Sequence, residues 1–314
     1  MHVEGTCPKF DALKNEFDLV IYHKNCNDGI AAYAVVRKYY LDKFAKEIEG
    51  IACAYGDPVP DYTERSVLVV DFSFPMETIV AMQTNCKSFF LLDHHVSAER
   101  ELGGTKGCCF DMSRSGAMLA WDFFFTGLPP PKIVKYVQDK DLWRWKLPHS
   151  REFNVSMELL PFDPSLWVSL LENDDRVDKM VEEGIVLSGY KTSIAEKIAS
   201  ELELFHWEPF TREEHQAMLT GLPDPPVYYV GIVNSGTFVN EVGEMVCKSH
   251  RCDIALMYTY SSKKRSLRFA MRSNSVDVSV IAKKLGGGGH AGAAGFNFSG
   301  SMNRFLRTHG FEEI

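Results

Sequence analysis

The stretch that decides the fold is Ser88–His95, SFFLLDHH, an apolar run that stops at an aspartate and two adjacent histidines. Its four consecutive apolar residues are typical of a strand buried on both faces, as in a parallel sheet covered by helices on each side. Asp93, His94 and His95 then lie at the carboxyl end of that strand. Ligands of open α/β sheets bind at this edge, so these side chains suit a metal or a phosphate. A hydrogen-bonded pair in an ordinary strand-to-loop transition is the alternative interpretation.

Two earlier strands end on similar side chains. The first, Asp18–Tyr22, is followed by His23 and by the loop HKNCNDG, which contains Asp28. The second, Val67–Val70, is followed by Asp71. If the three strands are parallel, their carboxyl ends meet at one edge of the sheet. The sequence therefore predicts one crevice lined by carboxylates and imidazoles.

The length and composition favour a two-domain globular protein. The chain has 314 residues, of which 45% are hydrophobic and 24% are charged. No apolar run approaches the roughly 18 residues of a membrane span, and the N-terminus lacks the features of a signal peptide. We therefore expect a cytoplasmic protein with no membrane partner. The eight cysteines lack the spacing of a zinc ribbon or a disulfide framework, and we expect them to be reduced thiols.

Charge is unevenly distributed along the chain. Residues 226–314 contain 11 lysines and arginines against 6 acids, whereas residues 1–225 contain 23 against 36. An acidic N-terminal part suits a cation site, and a basic C-terminal part suits an anionic substrate. Unselected surface charge is the alternative explanation.

Two helical patterns follow the third strand. Ser113–Phe125 has an apolar face, and Arg114 lies between two serines at its start, where helices hold anions. Capping alone also explains the serines. The second pattern, KIVKYVQDKDLWRW, contains Asp139 and Asp141. Acids on a helix usually face solvent, but the crevice lacks one ligand for a two-metal centre, and Asp139 is the candidate.

The C-terminal third is predicted to form a separate domain. A charged helical segment at 174–205 and the sequence PDPP at 223–226 mark its boundary. Three strands and a helix are predicted beyond it, at residues 227–233, 253–260, 266–272 and 278–285. Four glycines and His290 follow; they let backbone N–H groups approach a phosphate or a base edge, with a flexible linker as the alternative. Arg268 and Arg272 lie on one face of their strand and suit a phosphate clamp.

Together these motifs resemble the DHH phosphoesterase superfamily, which includes RecJ-like exonucleases, oligoribonucleases, cyclic-dinucleotide phosphodiesterases, family II pyrophosphatases and exopolyphosphatases. The ordered motifs are HKNCNDG, VVDFSFP, LLDHH and VQDKDLW, and GGGGHAGAAGF is similar to the signature of the DHH-associated C-terminal domain. The resemblance implies an α/β fold in three parts. A DHH domain with a mainly parallel sheet flanked by helices occupies 15–175, a helical connector 176–225, and a smaller substrate-binding α/β domain 226–314.

The resemblance also implies roles for individual residues. Six match metal ligands of the family: His23, Cys26, Asp28, Asp71, His94 and Asp139. Asp71 matches the aspartate that bridges two ions, and Asp141 is left as a supporting or surface residue. The resemblance places His95 against the substrate phosphate, with Asp93 orienting its neighbours. Seven residues are expected to contact the substrate: Arg114, Arg268, Arg272, Gly287, Gly288, Gly289 and His290.

One departure from the family concerns the first motif. The family has Asp-x-Asp, whereas this chain has Cys26-Asn27-Asp28. Cys26, Asn25 or a water can fill that ligand position.

Imidazole and carboxylate ligands without paired thiolates suit manganese, with magnesium or iron as alternatives. Two ions about 3.5–4 Å apart can activate a water and stabilise an in-line displacement at phosphorus. The sequence therefore predicts a phosphodiesterase that cleaves dinucleotides or short oligonucleotides. Polyphosphate or pyrophosphate hydrolysis is the alternative, a non-catalytic DHH binding protein is a third hypothesis, and a homodimer remains open.

Overall fold

The computed structural model describes residues 14–217 and 225–314. The predicted N-terminal features before residue 14, and residues 223 and 224 of the predicted PDPP boundary, lie outside this range. The chain divides into two compact units between Leu187 and Ser188, within helix α8 (Asp174–Ala199). Within the described ranges, every helix is too short or too polar to cross a membrane.

The first unit contains a five-stranded sheet in which every strand is parallel to its neighbours. The strands are β1 (Leu19–His23), β2 (Glu49–Cys53), β3 (Ser66–Val70), β4 (Ser88–Asp93) and β5 (Cys108–Phe110). Their order is β2-β1-β3-β4-β5, so the chain leaves β1 to one side and returns to the other. Ligands of such sheets bind at this change of direction, at the carboxyl ends of the strands.

Helices surround this sheet. They are α1 (Asn27–Phe44), α2 (Met76–Asn85), α3 (Val96–Leu102), α4 (Gly116–Phe124), α5 (Lys132–Asp141), α6 (Ser150–Met157) and α7 (Pro164–Glu172). In β3, Leu68 and Val70 pack with α1 and α4, whereas Val67 and Val69 pack in a second cluster with α2. Each strand face is thus buried under helices, which confirms the predicted covered parallel sheet. The short strands β2 and β5 were not predicted, because EGIAC and CCF carry little apolar pattern.

The second unit is built on a seven-stranded mixed sheet. Its strands are β6 (Glu203–Trp207), β7 (Tyr228–Asn234), β8 (Ile254–Ser261), β9 (Ser266–Arg272), β10 (Gly288–His290), β11 (Ala293–Phe298) and β12 (Phe311–Glu313). Their order is β10-β11-β9-β8-β7-β6-β12, and only β7 and β8 pair in parallel within the described residues. Its shorter helices are α9 (Arg212–Ala217), α10 (Val239–Ser249), α11 (Val278–Lys284) and α12 (Met302–Thr308). The three strands and the helix predicted for this part are present.

Residues 176–225 do not form a purely helical connector. Strand β6 lies within this range and pairs with β7 and β12 in the second sheet. Phe205 and Trp207 are buried, whereas the intervening His206 is exposed, as in a strand with one face on a core. This strand was not predicted, because its first residues were assigned to the long helical segment that precedes it.

Among the described residues, the prediction of reduced thiols was wrong at one position. Six of the described cysteines are free thiols: Cys26, Cys53, Cys86, Cys108, Cys247 and Cys252. Cys109, by contrast, is disulfide-bonded. Spacing along the chain recognises only known motifs and cannot detect which thiols the fold brings together.

Candidate metal centre

Asp71 lies at the centre of a polar cluster at the carboxyl edge of the first sheet. It follows β3 directly, is 1% exposed and has a left-handed backbone with φ of 53°. Its N–H donates to the carbonyl of Leu92 at 3.0 Å, which ties it to the neighbouring strand β4. Non-glycine residues hold this conformation where their surroundings impose it, and such positions cluster at functional sites.

One oxygen of Asp71 faces a first set of ligand atoms. Oδ2 lies 3.7 Å from Nδ1 of His23, at the end of β1. The same oxygen lies 3.5 Å from the thiol Sγ of Cys26, the residue that precedes α1. Histidine nitrogen, cysteine sulfur and carboxylate oxygen thus converge from the ends of β1 and β3.

The other oxygen of Asp71 faces a second set. Oδ1 lies 3.1 Å from Nε2 of His94, which follows β4. That nitrogen also lies 3.5 Å from Oδ2 of Asp28 and 3.4 Å from Oδ2 of Asp141. Asp71 is therefore shared by two groups of ligand atoms, one around His23 and one around His94.

The N-terminus of α4 holds the buried carboxylate of Asp28. Oδ2 accepts the N–H of Gly116 at 2.5 Å, and Oδ1 accepts the N–H of Ala117 at 2.9 Å. The unpaired N–H groups and the dipole of a helix N-terminus favour a negative charge. We predicted an anion at this helix end, and the chain supplies one of its own carboxylates there.

Two glycines that were not predicted as site residues allow this close packing. A Cβ on Gly116 would lie 2.4 Å from Cβ of Asp71, and one on Gly29 would lie 2.3 Å from the carbonyl oxygen of His23. Any side chain at either position would push α4 or α1 away from the strand ends. In the sequence, the glycines of NDG and SRSG were the only indication of this close packing between helix and strand ends.

The clustered charges shift one another's pKa values. Burial alone would raise the pKa of Asp71, but the imidazoles of His23 and His94 outweigh burial and hold it below its usual range. Burial and the charge of Asp71 raise the pKa of Asp28 well above its usual value. Burial by itself would lower the pKa of His94, but the surrounding carboxylates raise it to about 9. Burial, followed by the charge of Asp71, raises the pKa of the Cys26 thiol.

Asp93 orients the two histidines that follow it. Its Oδ1 accepts the N–H of His94 at 2.7 Å and lies 2.6 Å from Nδ1 of His95. Its Oδ2 accepts the hydroxyl of Ser73 at 2.5 Å. The hydrogen bond to Asp93 raises the pKa of His95. Asp93 is fully buried and acts on its neighbours, whereas the ring of His95 is 30% exposed and is available to a substrate.

The structure reverses the expected roles of Asp139 and Asp141. The carboxylate of Asp139 accepts the backbone N–H groups of Lys146 and Leu147, at 2.9 and 3.2 Å for Oδ2. It fixes the loop after α5 instead of joining the ligand cluster. Asp141 is the acid that reaches His94, and burial raises its pKa. The choice of Asp139 as a ligand is therefore corrected to Asp141.

The residues present fit divalent cations. Nδ1 of His23 is buried and has no hydrogen-bond partner among the described residues. Buried polar atoms normally have a partner, so this nitrogen is a candidate metal ligand. The cluster combines imidazole and carboxylate groups with ligand atoms within 4.8 Å of one another in each of three groups. Such donor sets suit manganese or magnesium more than a structural zinc site. Carboxylates this close without a cation would repel one another.

The predicted substrate residues of the second unit lie along one side of its sheet. Arg272 is in register with Ala293, and Ala293 is in register with His290. Arg272 and His290 therefore flank a small residue in one row, roughly 10 Å apart across two strand spacings. The guanidinium of Arg272 is held by Oδ1 of Asn240, 3.0 Å from Nε. Arg268 lies on the same face of β9 and is exposed.

The glycine segment is an edge strand and not a loop. Gly288 and Gly289 lie in β10, which pairs with β11, and Gly287 directly precedes this strand. A Cβ on Gly287 or Gly289 would collide with that neighbour, so their small size serves the hairpin itself. Gly288 has open space around it and is exposed, so its backbone remains accessible.

Arg114 lies in the turn before α4 and is partly neutralised. Its Nε lies 3.0 Å from Oδ2 of Asp122, and its side chain is about two-fifths exposed. It belongs to the loop that presents Gly116 to Asp28, but its charge already has a partner.

Comparisons with known proteins found a matching domain family, a relative in sequence and solved structures of similar fold. Residues 227–308 match the DHHA1 domain. An uncharacterized protein of Acanthamoeba polyphaga mimivirus is 27% identical over 304 residues, covering 91% of this chain and 69% of that protein. The pGpG-specific phosphodiesterase PggH of Vibrio cholerae shares the fold, with a TM-score of 0.56, 13% identity and coverage of 93% and 96% of the two chains. A solved DHH domain from a member of a ribosomal protein family aligns with a TM-score of 0.50 and 12% identity, covering 95% of this chain and 87% of that one.

Proposed function

We propose that this chain, whose residues 227–308 match the DHHA1 domain, is a DHH-type metal-dependent phosphodiesterase that hydrolyses dinucleotides or short oligonucleotides with two divalent ions. The phosphohydrolase class follows from the family. The substrate, the number of ions and the preference for manganese are the parts that we propose here.

The observation that carries the proposal is the shared carboxylate of Asp71. Its Oδ2 faces His23 and Cys26, and its Oδ1 faces His94. A first ion would be held by the set around His23, and a second by His94, Asp28 and Asp141. Two bound ions supply an activated water and stabilise the charge that develops on the phosphoryl oxygens.

The protein's own groups position the substrate. His95, oriented by Asp93, is placed to contact a phosphate oxygen beside the ligand cluster. The row of Arg272 and His290 on the second sheet suits a phosphate group. PggH, which has a similar fold, is a phosphodiesterase specific for pGpG, and this activity supports the same class.

The decisive experiment compares substrates and counts metals. With manganese, a dinucleotide should be hydrolysed faster than long-chain polyphosphate at equal phosphate concentration. Elemental analysis of the purified protein should find two divalent ions per chain, and a chelator should abolish turnover. Faster cleavage of polyphosphate, unchanged in His290→Ala, would favour polyphosphatase activity instead. Absence of any hydrolysis with both metals loaded would leave the non-catalytic hypothesis.

A further inference from the structure

A small cavity beside the metal centre is not used by the mechanism above. It has a volume of about 220 Å³ and is lined on one side by Tyr55, in the loop after β2, and on the other by α3. Phe74, Pro75 and Leu102 supply apolar walls, and Ser73 and Glu101 supply polar ones. Pockets for drug-sized ligands measure roughly 300–1,000 Å³, so this one suits a single planar ring system and not a whole nucleotide.

Two contacts connect the cavity to the metal centre. The ring of Tyr55 lies 5.9 Å from the imidazole of His23 and 4.9 Å from the ring of Phe72, the residue after Asp71. Ser73 donates its hydroxyl to Asp93, the residue that orients His95. A ring bound in the cavity would therefore belong to a substrate whose phosphate lies at the metal centre.

Tyr55 has the properties of a stacking platform. Its side chain is 61% exposed although the ring packs on Phe72 and His23. Neutral aromatic rings on the surface of nucleotide-binding sites stack on bases, because every base presents a π face.

The carboxylate of Glu101 can discriminate between nucleobases by their hydrogen-bond donors. Its Oε1 accepts the N–H of Met76 at 2.8 Å, which fixes the carboxylate at the cavity wall. An ionised carboxylate can only accept hydrogen bonds. Guanine presents two adjacent N–H donors on its Watson–Crick edge, whereas adenine and cytosine pair a donor with an acceptor, and uracil flanks one donor with two acceptors. Only guanine offers a carboxylate two donors side by side.

We propose that the cavity between Tyr55 and Glu101 binds the nucleobase next to the scissile phosphate and selects guanine. This inference rests on the proposed phosphodiesterase function and adds its base specificity. Tyr55 supplies affinity for any base, and Glu101 supplies the discrimination.

Kinetics on four dinucleotides test both roles. Wild-type protein should cleave GpG with the highest kcat/KM among GpG, ApA, CpC and UpU. Tyr55→Ala should raise KM about tenfold or more for every dinucleotide, whereas Tyr55→Phe should stay near wild type because the ring is kept. Glu101→Gln keeps an oxygen for Met76 but places an amide donor at the wall, and should lower the preference for GpG over ApA about tenfold or more. Glu77→Gln, an exposed acid outside the cavity, is the matched control and should change neither value.

Binding without turnover separates this inference from the proposed function. With a chelator present, GMP should bind more tightly than AMP by calorimetry, and Tyr55→Ala should abolish the binding. If GMP binds in this way but no dinucleotide is cleaved, the phosphodiesterase proposal fails and the cavity assignment stands. Hydrolysis of GpG with no effect of Tyr55→Ala or Glu101→Gln on base preference or GMP binding would overturn the cavity assignment alone.

Discussion

The two units present their candidate functional residues in opposite ways. In the first unit, Asp28 and Asp71 are buried near the strand ends, and both carboxylates lie beside the imidazole of His94, which is 10% exposed. In the second, Arg268 and His290 are exposed on a sheet, and Arg272 is half-buried. A buried charge that loses its partner costs several kcal/mol, whereas an exposed one is screened by water. Residues of the first unit should therefore control chemistry, and residues of the second should control binding.

The largest effect is expected from Asp71→Ala, which removes the carboxylate that both ligand groups share. We expect kcat/KM to fall about a thousandfold or more, together with the loss of at least one bound ion. Steady-state kinetics and elemental analysis measure the two effects. Asp42→Asn, which removes an exposed carboxylate paired with Lys38, is the control and should leave both unchanged. Near-normal turnover in Asp71→Ala would contradict the assignment of this centre.

A second comparison separates two acids of one helix. Asp141→Asn should lower kcat about a hundredfold and release metal, because it removes a ligand next to His94. Asp139→Asn should keep the metal but lower the free energy of unfolding by about 1–3 kcal/mol, because two backbone N–H groups lose their carboxylate acceptor. Metal content and denaturant unfolding measured on both variants test this. The reverse pattern would restore Asp139 as the ligand.

The raised pKa of His94 predicts opposite pH trends for metal affinity and metal-free stability. Its pKa of about 9 in the folded protein exceeds the ordinary value near 6.5, so the imidazolium is fully stabilising below about pH 6.5. That contribution is lost as the pH rises through about 9. A metal must displace the same proton, so manganese affinity should rise about tenfold per pH unit between pH 7 and 9.

Titrations of manganese at several pH values, with thermal unfolding of the metal-free protein alongside, measure both trends. In His94→Gln the pH dependence of affinity in this window should disappear. An affinity independent of pH in the wild type would show that His94 is not protonated in the metal-free centre.

Changes on the second sheet should act on binding alone. Arg272→Ala or His290→Ala should raise KM about tenfold for a dinucleotide and leave the metal content unchanged. Lys263→Ala, an exposed cation in the turn between β8 and β9, controls for net charge. A fall in bound metal in either test variant would contradict the assignment of chemistry to the first unit and of substrate binding to the second.

The smallest effect is expected at Cys26. Cys26→Ala should weaken metal binding only a few-fold, since burial and nearby carboxylates raise the pKa of the thiol and oppose the thiolate form. Cys26→Asp should be tolerated, and the wild type should favour softer ions more than this variant does. Competition between manganese and zinc measures the preference. Identical metal content and rates in wild type and Cys26→Ala would assign the side chain to packing.

The sequence alone predicted that β1, β3 and β4 belong to one buried parallel sheet. Apolar runs that end on His23, Asp71 and Asp93 require a sheet buried on both faces, and parallel strands bring their carboxyl ends to one edge. The ligand types and their grouping at that edge followed from this local pattern. Strands β7, β8 and β9 of the second unit were also predicted, and alternation along β9 places Arg268 and Arg272 on one face.

Only the tertiary structure decided between Asp139 and Asp141. Two residues along a helix are about 200° apart around its axis, so the acids face opposite sides, and periodicity cannot tell which side meets His94. The same limit applies to β6, to the disulfide at Cys109 and to the cavity between Tyr55 and Glu101. Each depends on contacts between segments distant in the chain, and local sequence patterns carry no information about which distant segments the fold brings together.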